Sequence, residues 1–374
     1  MNKKLHILFL SSWYPSRVSP SNGDFVQRHA EAVATKHKVT VIHVITDKKI
    51  HNVEITSQLI NNVDTKIIYV PNTLNLIFKF FIFLKTYIKT IANIEDFELV
   101  HLNITFPKGI VALYLKWFKN KPYIISEHWS GYQFPQNHNI RKLEKIVTKI
   151  IVKNASFICP VSKHLQKEME SFGLKGDFYP IPNVVDTSYF NISKNESKNF
   201  IITHISGMDN KIKNIEGIIN VISKLQCIIP NLEFNLIGCN SDKYKPLIRK
   251  LKIKSANIID QIPNTEVAEY LKKTTVFVLF SNYENLPCVI IESFACGVPV
   301  ISTDVGGISE YFPKNFGYLI KAKDEVALEN SILKIVNNNL NFDKILMNKY
   351  AENTFGINTI SNLFSEIYNK TLEN

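Results

Sequence analysis

The sequence predicts an α/β protein made of two doubly wound, Rossmann-like domains. Three observations point there. Short Val/Ile/Leu-rich runs alternate with longer helical patterns from end to end. The runs are continuously apolar rather than alternating, as parallel strands buried on both faces require. At 374 residues the chain suits two domains of ordinary size.

Taken in order, the strand-like runs of the first half are Leu5–Leu10, Val39–Val44, Lys66–Val70, Leu99–Leu102, Tyr123–Ser126 and Ser156–Pro160. A break comes at Pro180–Lys198, with Pro180, Pro182 and the polar stretch NISKNESKN. The pattern resumes with Phe200–Ile205, Glu233–Ile237, Asn257–Ile259, Val276–Phe280 and Val300–Ser302. Domain boundaries are therefore expected at 1–185 and 186–354. A helical pattern through Ile357, Ile360, Leu363, Phe364 and Ile367 is expected to pack 355–374 back on the first domain.

Composition narrows the function. Hydrophobic residues make up 45% and charged residues 21%, which excludes a disordered chain. The net charge of +11 favours anionic partners. Five cysteines with no CxxC pair suggest neither a disulfide framework nor a zinc site. The start, MNKKLHILFLSSWYPS, lacks a small-residue cleavage site and reads as a buried strand rather than a signal peptide. Segment 74–91, LNLIFKFFIFLKTYIKTI, is very apolar, with Lys85 and Lys89 on one helical face and Lys79 off it. It reads as a core-packed helix with snorkelling lysines or as an in-plane helix on an anionic membrane.

The chemistry concentrates in Ser281–Val300, SNYENLPCVIIESFACGVPV. A strand ends before Ser281, a short loop carries Glu284, and Pro287 is placed to open a helix with Asn285 or Leu286 as its cap. A helix N-terminus at the carboxyl end of a strand offers free amides to phosphate. Glu284 and Glu292, flanking such an anion site, can each accept hydrogen bonds from vicinal hydroxyls, as a sugar nucleotide would supply. The second cluster is His204–Asn214, HISGMDNKIKN, a strand-to-helix turn carrying Lys211 and Lys213.

These segments resemble the family-4 retaining glycosyltransferases of the GT-B fold. Glu284 and Glu292 match that family's E-x7-E motif, and Cys296–Val300 and Asp304–Glu310 match the segment C-terminal to it. The resemblance implies two such domains facing a central cleft. It implies that Glu284 faces hydroxyls of the donor sugar, Glu292 faces the ribose, and amides after Glu284, those of Asn285 and Leu286 among them, hold the diphosphate. Pro287 stands where the family often has Gly and cannot donate. The family's G-R-x(3–5)-K-N turn is matched by Lys213-Asn214, but Met208 stands in place of the Arg, with Lys211 as a candidate point charge.

Three further signals fall in the first half. The loop PSRVSPSNGDFVQRH resembles the family's glycine loop, where Gly23 would let backbone approach phosphate or sugar. His128, in SEHWSG, stands where the family has a His that contacts the sugar and a phosphate oxygen, and an unperturbed ring would titrate near pH 6.5. Glu127 beside it would orient the ring or sit at the rim, and His101 and Asn103 close another strand as candidate acceptor-side residues.

The sequence carries no D-x-D, G-x-G-x-x-G, G-x-S-x-G or P-loop. No metal and no cofactor are expected. The expectation is transfer of a hexose, with retention, from a UDP- or GDP-sugar to an acceptor hydroxyl, on a lipid-linked glycan in surface polysaccharide biosynthesis. The enzyme would be cytoplasmic and peripheral on the inner face of the plasma membrane, without nucleic acid. A UDP-sugar 2-epimerase of the same fold, or a non-catalytic nucleotide-sugar-binding protein, are the alternatives.

Overall fold

The computed structural model describes residues 4–73, 75–133, 136–193, 197–337 and 342–373, with only the backbone of Leu76 and Ile77. Leu74, the first residue of the apolar segment, and residues 194–196 of the expected linker lie outside the described residues. The chain divides into two compact units: Met1–Val184 with Ile357–Asn374, and Val185–Gly356.

The first unit runs β1 (His6–Ser11), α1 (Asp24–Ala34), β2 (Lys38–Asp47), β3 (Glu54–Ile60), β4 (Val63–Pro71), α2 (Leu76–Ile91), β5 (Leu99–Asn103), α3 (Gly109–Lys119), β6 (Tyr123–Glu127), α4 (Lys142–Asn154), β7 (Ile158–Pro160) and α5 (Lys163–Ser171). The second continues with β8 (Phe200–Ile205), α6 (Asn210–Lys213), α7 (Ile215–Leu225), β9 (Leu232–Ile237), α8 (Lys245–Lys250), β10 (Ala256–Ile259), α9 (Asn264–Lys273), β11 (Val276–Leu279), α10 (Cys288–Ala295), β12 (Val300–Thr303), β13 (Gly317–Ile320), α11 (Glu325–Asn337) and α12 (Lys344–Phe355). Helix α13 (Ile357–Glu373) returns to the first unit.

The first sheet has the order β3-β4-β2-β1-β5-β6-β7 and is parallel except for β3. Strands β1, β5 and β6 are buried along their whole length, because helices cover both faces. Strand β3 is not among the expected runs. It pairs antiparallel at the edge, and its residues are mostly exposed, so no continuous apolar run marks it. Helix α13 packs on α1, burying Ile360, Phe364, Ile367 and Tyr368 completely. Each such side chain contributes roughly 1.5–3 kcal/mol, which fastens the tail to the first unit. Helices α2, α3 and α4 pack side by side, α2 on α3 and α3 on α4.

The second sheet is wholly parallel, in the order β10-β9-β8-β11-β12-β13. Its last strand, GYLI, is not among the expected runs; it opens on Gly317 and its middle residues are only half-buried, so no continuous apolar run marks it. The ends of this unit meet: the Val185 N–H donates to the Phe355 carbonyl at 2.9 Å, and Val185 bridges Gly356. All five cysteines are free thiols. Among the described residues no helix is long and apolar enough to cross a membrane.

Candidate active site

In an open parallel sheet a crevice forms where the strand order reverses, outside the carboxyl ends of the strands. In the second unit that point lies between β8 and β11. The two clusters singled out in the sequence are the turns leaving these two strands. They are stitched together: Asn282 N–H donates to the Ile212 carbonyl at 2.7 Å, and the Asn282 side-chain amide to the Lys211 carbonyl at 3.0 Å.

Across this junction the Lys213 ammonium donates to Glu284 Oε1 at 2.5 Å, and the Ser281 hydroxyl donates to the same oxygen at 2.7 Å. Glu284 is 9% exposed and the Lys213 side chain 19%, so the pair is shielded yet reachable. Lys213 ends α6, and Asn214 then takes a left-handed conformation that redirects the chain into α7. Asn tolerates this conformation better than most residues. A third turn, after β12, closes in from the other side. Gly306 has φ +64°, and a Cβ there would lie 1.9 Å from the Glu284 carbonyl oxygen. The Gly307 N–H donates to the Asn285 carbonyl at 2.8 Å. The loop of Glu284, Asn285 and Leu286 is thus held from two directions, with Leu286 buried.

Helix α10 starts at Cys288, and Pro287 is its extended N-cap rather than its first helical residue, so neither Asn285 nor Leu286 caps it. Pro287 needs no hydrogen-bond acceptor there, and the helical amides begin one residue later than expected. Glu292, in the second turn of α10, is 2% exposed.

Beside Lys213 lies a cavity of about 480 Å³, lined by Gly207, Met208, Ile212, Asn240 and Lys243 among others. The Met208 side chain is buried in the apolar core instead of facing solvent. Lys211, the expected point charge, is exposed and is not among the residues lining this cavity. Lys243, in the turn after β9, lines it and donates to the Met208 carbonyl. Sequence reading missed Lys243 because nothing in NSDKYK distinguishes it from a solvated lysine; only the packing of the β9 turn on the β8 turn does. His204, near the end of β8, donates from Nδ1 to the Val278 carbonyl at 2.8 Å, and burial pushes its pKa down to about 4.

In the first unit the strand order reverses between β1 and β5. Gly23, Asn103, Glu127 and His128 all lie near the carboxyl ends of β1, β5 and β6. Gly23 is the N-cap of α1 with φ +76°, and a Cβ there would sit 2.3 Å from the Trp13 carbonyl carbon. The glycine is thus already required by packing of its own loop. Glu127 is wholly buried and accepts five hydrogen bonds. Oε1 takes the N–H groups of His128 and Trp129 at 2.9 Å each. Oε2 takes the Thr105 N–H at 3.0 Å, its hydroxyl at 2.7 Å and the Tyr132 hydroxyl at 3.3 Å. It is therefore no rim charge. It fixes the backbone that presents the His128 ring. Burial still lifts its pKa.

The His128 ring lies 4.5 Å from Phe25 and 5.3 Å from His29. Burial, reinforced by the neighbouring histidines, holds its pKa well below 6.5, so it stays neutral where an exposed ring would titrate. His101 is fully buried, with Nδ1 on the Tyr368 hydroxyl at 2.7 Å and Nε2 on Ser126 Oγ at 2.6 Å. Both ring nitrogens are occupied inside the unit, so the acceptor-side expectation gives way to a structural role. Asn103 is buried too; its side chain donates to the His101 carbonyl at 3.3 Å, and its Oδ1 finds no partner. Among the described residues no group of three or more His, Cys, Asp or Glu is arranged to hold a metal ion.

Comparison with known proteins fits this geometry. The profile described as Glycosyl transferases group 1 matches residues 185–355, and that described as Glycosyltransferase Family 4 matches 24–189. The chain belongs to the group 1, family-4 glycosyltransferases. Its relatives include TuaC of Bacillus subtilis, named for teichuronic acid biosynthesis, 26% identical over 88% of this chain and 89% of that protein. Another is the N-acetyl-alpha-D-glucosaminyl L-malate synthase of Bacillus anthracis, 24% identical over 66% of this chain and 67% of that one. Among solved structures, sucrose-phosphate synthase from Thermosynechococcus elongatus superposes with a TM-score of 0.79 at 19% identity, covering 98% of this glycosyltransferase and 99% of that chain. Anabaena HepE, solved with UDP and glucose, gives 0.76 at 15% identity over 98% and 100%. The fold of this glycosyltransferase is GT-B.

Proposed function

We propose that the enzyme transfers a hexose from a nucleotide diphosphate sugar, UDP- or GDP-linked, to an acceptor hydroxyl with retention of anomeric configuration. The observation that carries this reading is the Lys213–Glu284–Ser281 cluster at the strand-order reversal of the second unit, beside a cavity flanked by Lys243. Glu284 is the carboxylate offered to donor-sugar hydroxyls and Glu292 the one for the ribose. Lys213 and Lys243, with the amides opening α10, are the groups for the diphosphate. A paired ammonium and carboxylate that can exchange each other for phosphate and hydroxyls is pre-organised without being locked. His128, neutral, can donate one N–H to the sugar.

In the reaction, the bond from the anomeric carbon to the β-phosphate oxygen breaks and its electron pair leaves with the phosphate. The centre becomes oxocarbenium-like. The acceptor oxygen bonds to the same face, and its proton passes to the departing phosphate oxygen. Lys213 and Lys243 stabilise the charge that develops there.

The acceptor is read as a lipid-linked glycan on the way to a surface polysaccharide. Support comes from the name of TuaC and from a Klebsiella pneumoniae relative encoded in a cps region, 23% identical over 75% of this chain. UDP and glucose in the HepE structure support a nucleotide-sugar donor.

The test is a thermal-shift panel of UDP, GDP, ADP and their sugars, with and without EDTA, followed by product analysis. Stabilisation by one nucleotide and an α-linked product from an α-linked donor support the reading. No stabilisation at millimolar concentration, an isomerised sugar nucleotide without acceptor, or an inverted product overturns it.

A further inference from the structure

Helices α2, α3 and α4 of the first unit present an outer surface that suits neither a core nor ordinary solvent. On α2, Phe78 and Phe81 are exposed, and at 100° per residue they share one stripe with the exposed Lys85 and Lys89. Phe80 is exposed as well. The opposite side of α2 is anchored: Tyr87, Thr90 and Ile91 are buried, and the Lys108 ammonium lies 4.2 Å from the Phe83 ring centroid and 5.0 Å from that of Tyr87.

On α3, Trp117 and Phe118 stand out while Val111, Ala112 and Leu115 are buried. Helix α4 shows Leu143, Ile146 and Ile150 on one stripe, flanked by the exposed Lys142, Lys149 and Lys153. The two helices are tied at their carboxyl ends. The Lys116 ammonium donates to the Asn154 carbonyl at 2.6 Å, and the Trp117 indole to Asn154 Oδ1 at 3.4 Å. These eight large apolar side chains are between 41% and 72% exposed. Exposure on that scale, gathered on adjacent helices, marks an interaction surface.

Charge selects the occupant. The three helices carry nine lysines and a single acid, Glu144, a net +8 of the whole chain's +11. A protein interface core is depleted in lysine. Aromatic and aliphatic side chains interleaved with lysines instead match the boundary between headgroups and acyl chains of an anionic bilayer. At 16 residues α2 spans about 24 Å, short of the roughly 30 Å hydrocarbon core, so it lies in the interface and does not cross it.

We infer that the outer surface of α2, α3 and α4 seats the enzyme on an anionic membrane, with α2 and α4 in the plane of the interface. This deepens the reading of a lipid-linked acceptor and rests on it for its purpose. The surface itself is testable without any donor or acceptor.

The experiment is flotation of the full chain with vesicles of phosphatidylglycerol and phosphatidylcholine, against phosphatidylcholine alone, at 50 and 300 mM salt. The expected result is at least tenfold tighter binding to the anionic vesicles, weakened by salt. Phe81→Ser with Ile146→Ser should cut binding at both salt concentrations. Lys85→Glu with Lys149→Glu should cut it tenfold or more at low salt. Each variant must melt as the parent does and keep its nucleotide response; Phe118→Ser serves if the first apolar variant does not fold. Absence of vesicle binding, or binding indifferent to these substitutions, overturns the inference. So does a dimer that these substitutions dissolve, because the surface would then belong to a second copy. Failure of nucleotide binding with vesicle binding intact would refute the donor reading alone.

Discussion

At the strand-order reversal of the second unit the charged groups meet in reach of solvent: Lys213 on Glu284, with Lys243 nearby. At the corresponding point of the first unit they are buried and spoken for. Glu127 is wrapped by five donors, and His101 has both ring nitrogens occupied. The same topology thus serves two ends. One crevice leaves an ion pair within reach of solvent, while the other uses its carboxylate to hold a turn in shape. A carboxylate at a strand end does not announce which it is; what surrounds it does.

The contrast is sharpest for the two glutamates. Glu284→Ala is expected to cut turnover more than a hundredfold while the melting temperature moves little. Glu127→Ala should lower the melting temperature markedly, because donors it leaves buried without an acceptor cost about 1–3 kcal/mol each. Steady-state kinetics and calorimetry on both variants decide this; equal loss of stability in the two would break the comparison.

Next in size, Lys213→Ala and Lys243→Ala should each weaken UDP or GDP affinity about tenfold, and uridine or guanosine affinity hardly at all. Titration calorimetry with nucleotide and nucleoside reads the difference. An unchanged Kd for Lys243→Ala would remove it from the site.

Acid separates the units further. His29 and His43 of the first unit and His204 of the second have pKa values near 4 through burial. The unfolded chain, titrating near 6.5, then binds more protons than the folded one between pH 6.5 and 4. Stability falls as pH falls through that window, by up to roughly 3 kcal/mol per histidine. The first unit, with His101 and His128 also depressed, should yield first. Trp13, Trp117 and Trp129 all belong to it, so tryptophan emission should shift at higher pH than amide exchange opens in the second unit.

The effect of opposite sign concerns Lys108, whose pKa burial lowers to about 7. Its folded form binds fewer protons than the unfolded between pH 7 and 10.5. Its cost is therefore full below pH 7 and fades as pH rises. Lys108→Met should raise the melting temperature by a few degrees at pH 6 and by little at pH 10.

Most of the fold was legible because parallel strands buried on both faces write themselves as apolar runs. The antiparallel β3 escaped because it is exposed. In the second unit, Lys213, Glu284 and Glu292 sit on two short contiguous segments, so the resemblance to the family's motifs brought them out. In the first unit, Glu127, His101 and His128 read alike as polar residues at strand ends. Only three-dimensional contacts, such as Tyr368 reaching His101 from α13, tell scaffold from site. Lys243 was silent for the same reason.

The junction at Val185 and Phe355 has a consequence for how the chain can be cut. Because the two ends of the second unit lie side by side, it is a cassette inserted into a host. Segment 185–356 can be excised with its ends already adjacent, and a short linker can close the gap left between Val184 and Ile357. One continuous stretch of gene then carries the whole unit from one relative to another.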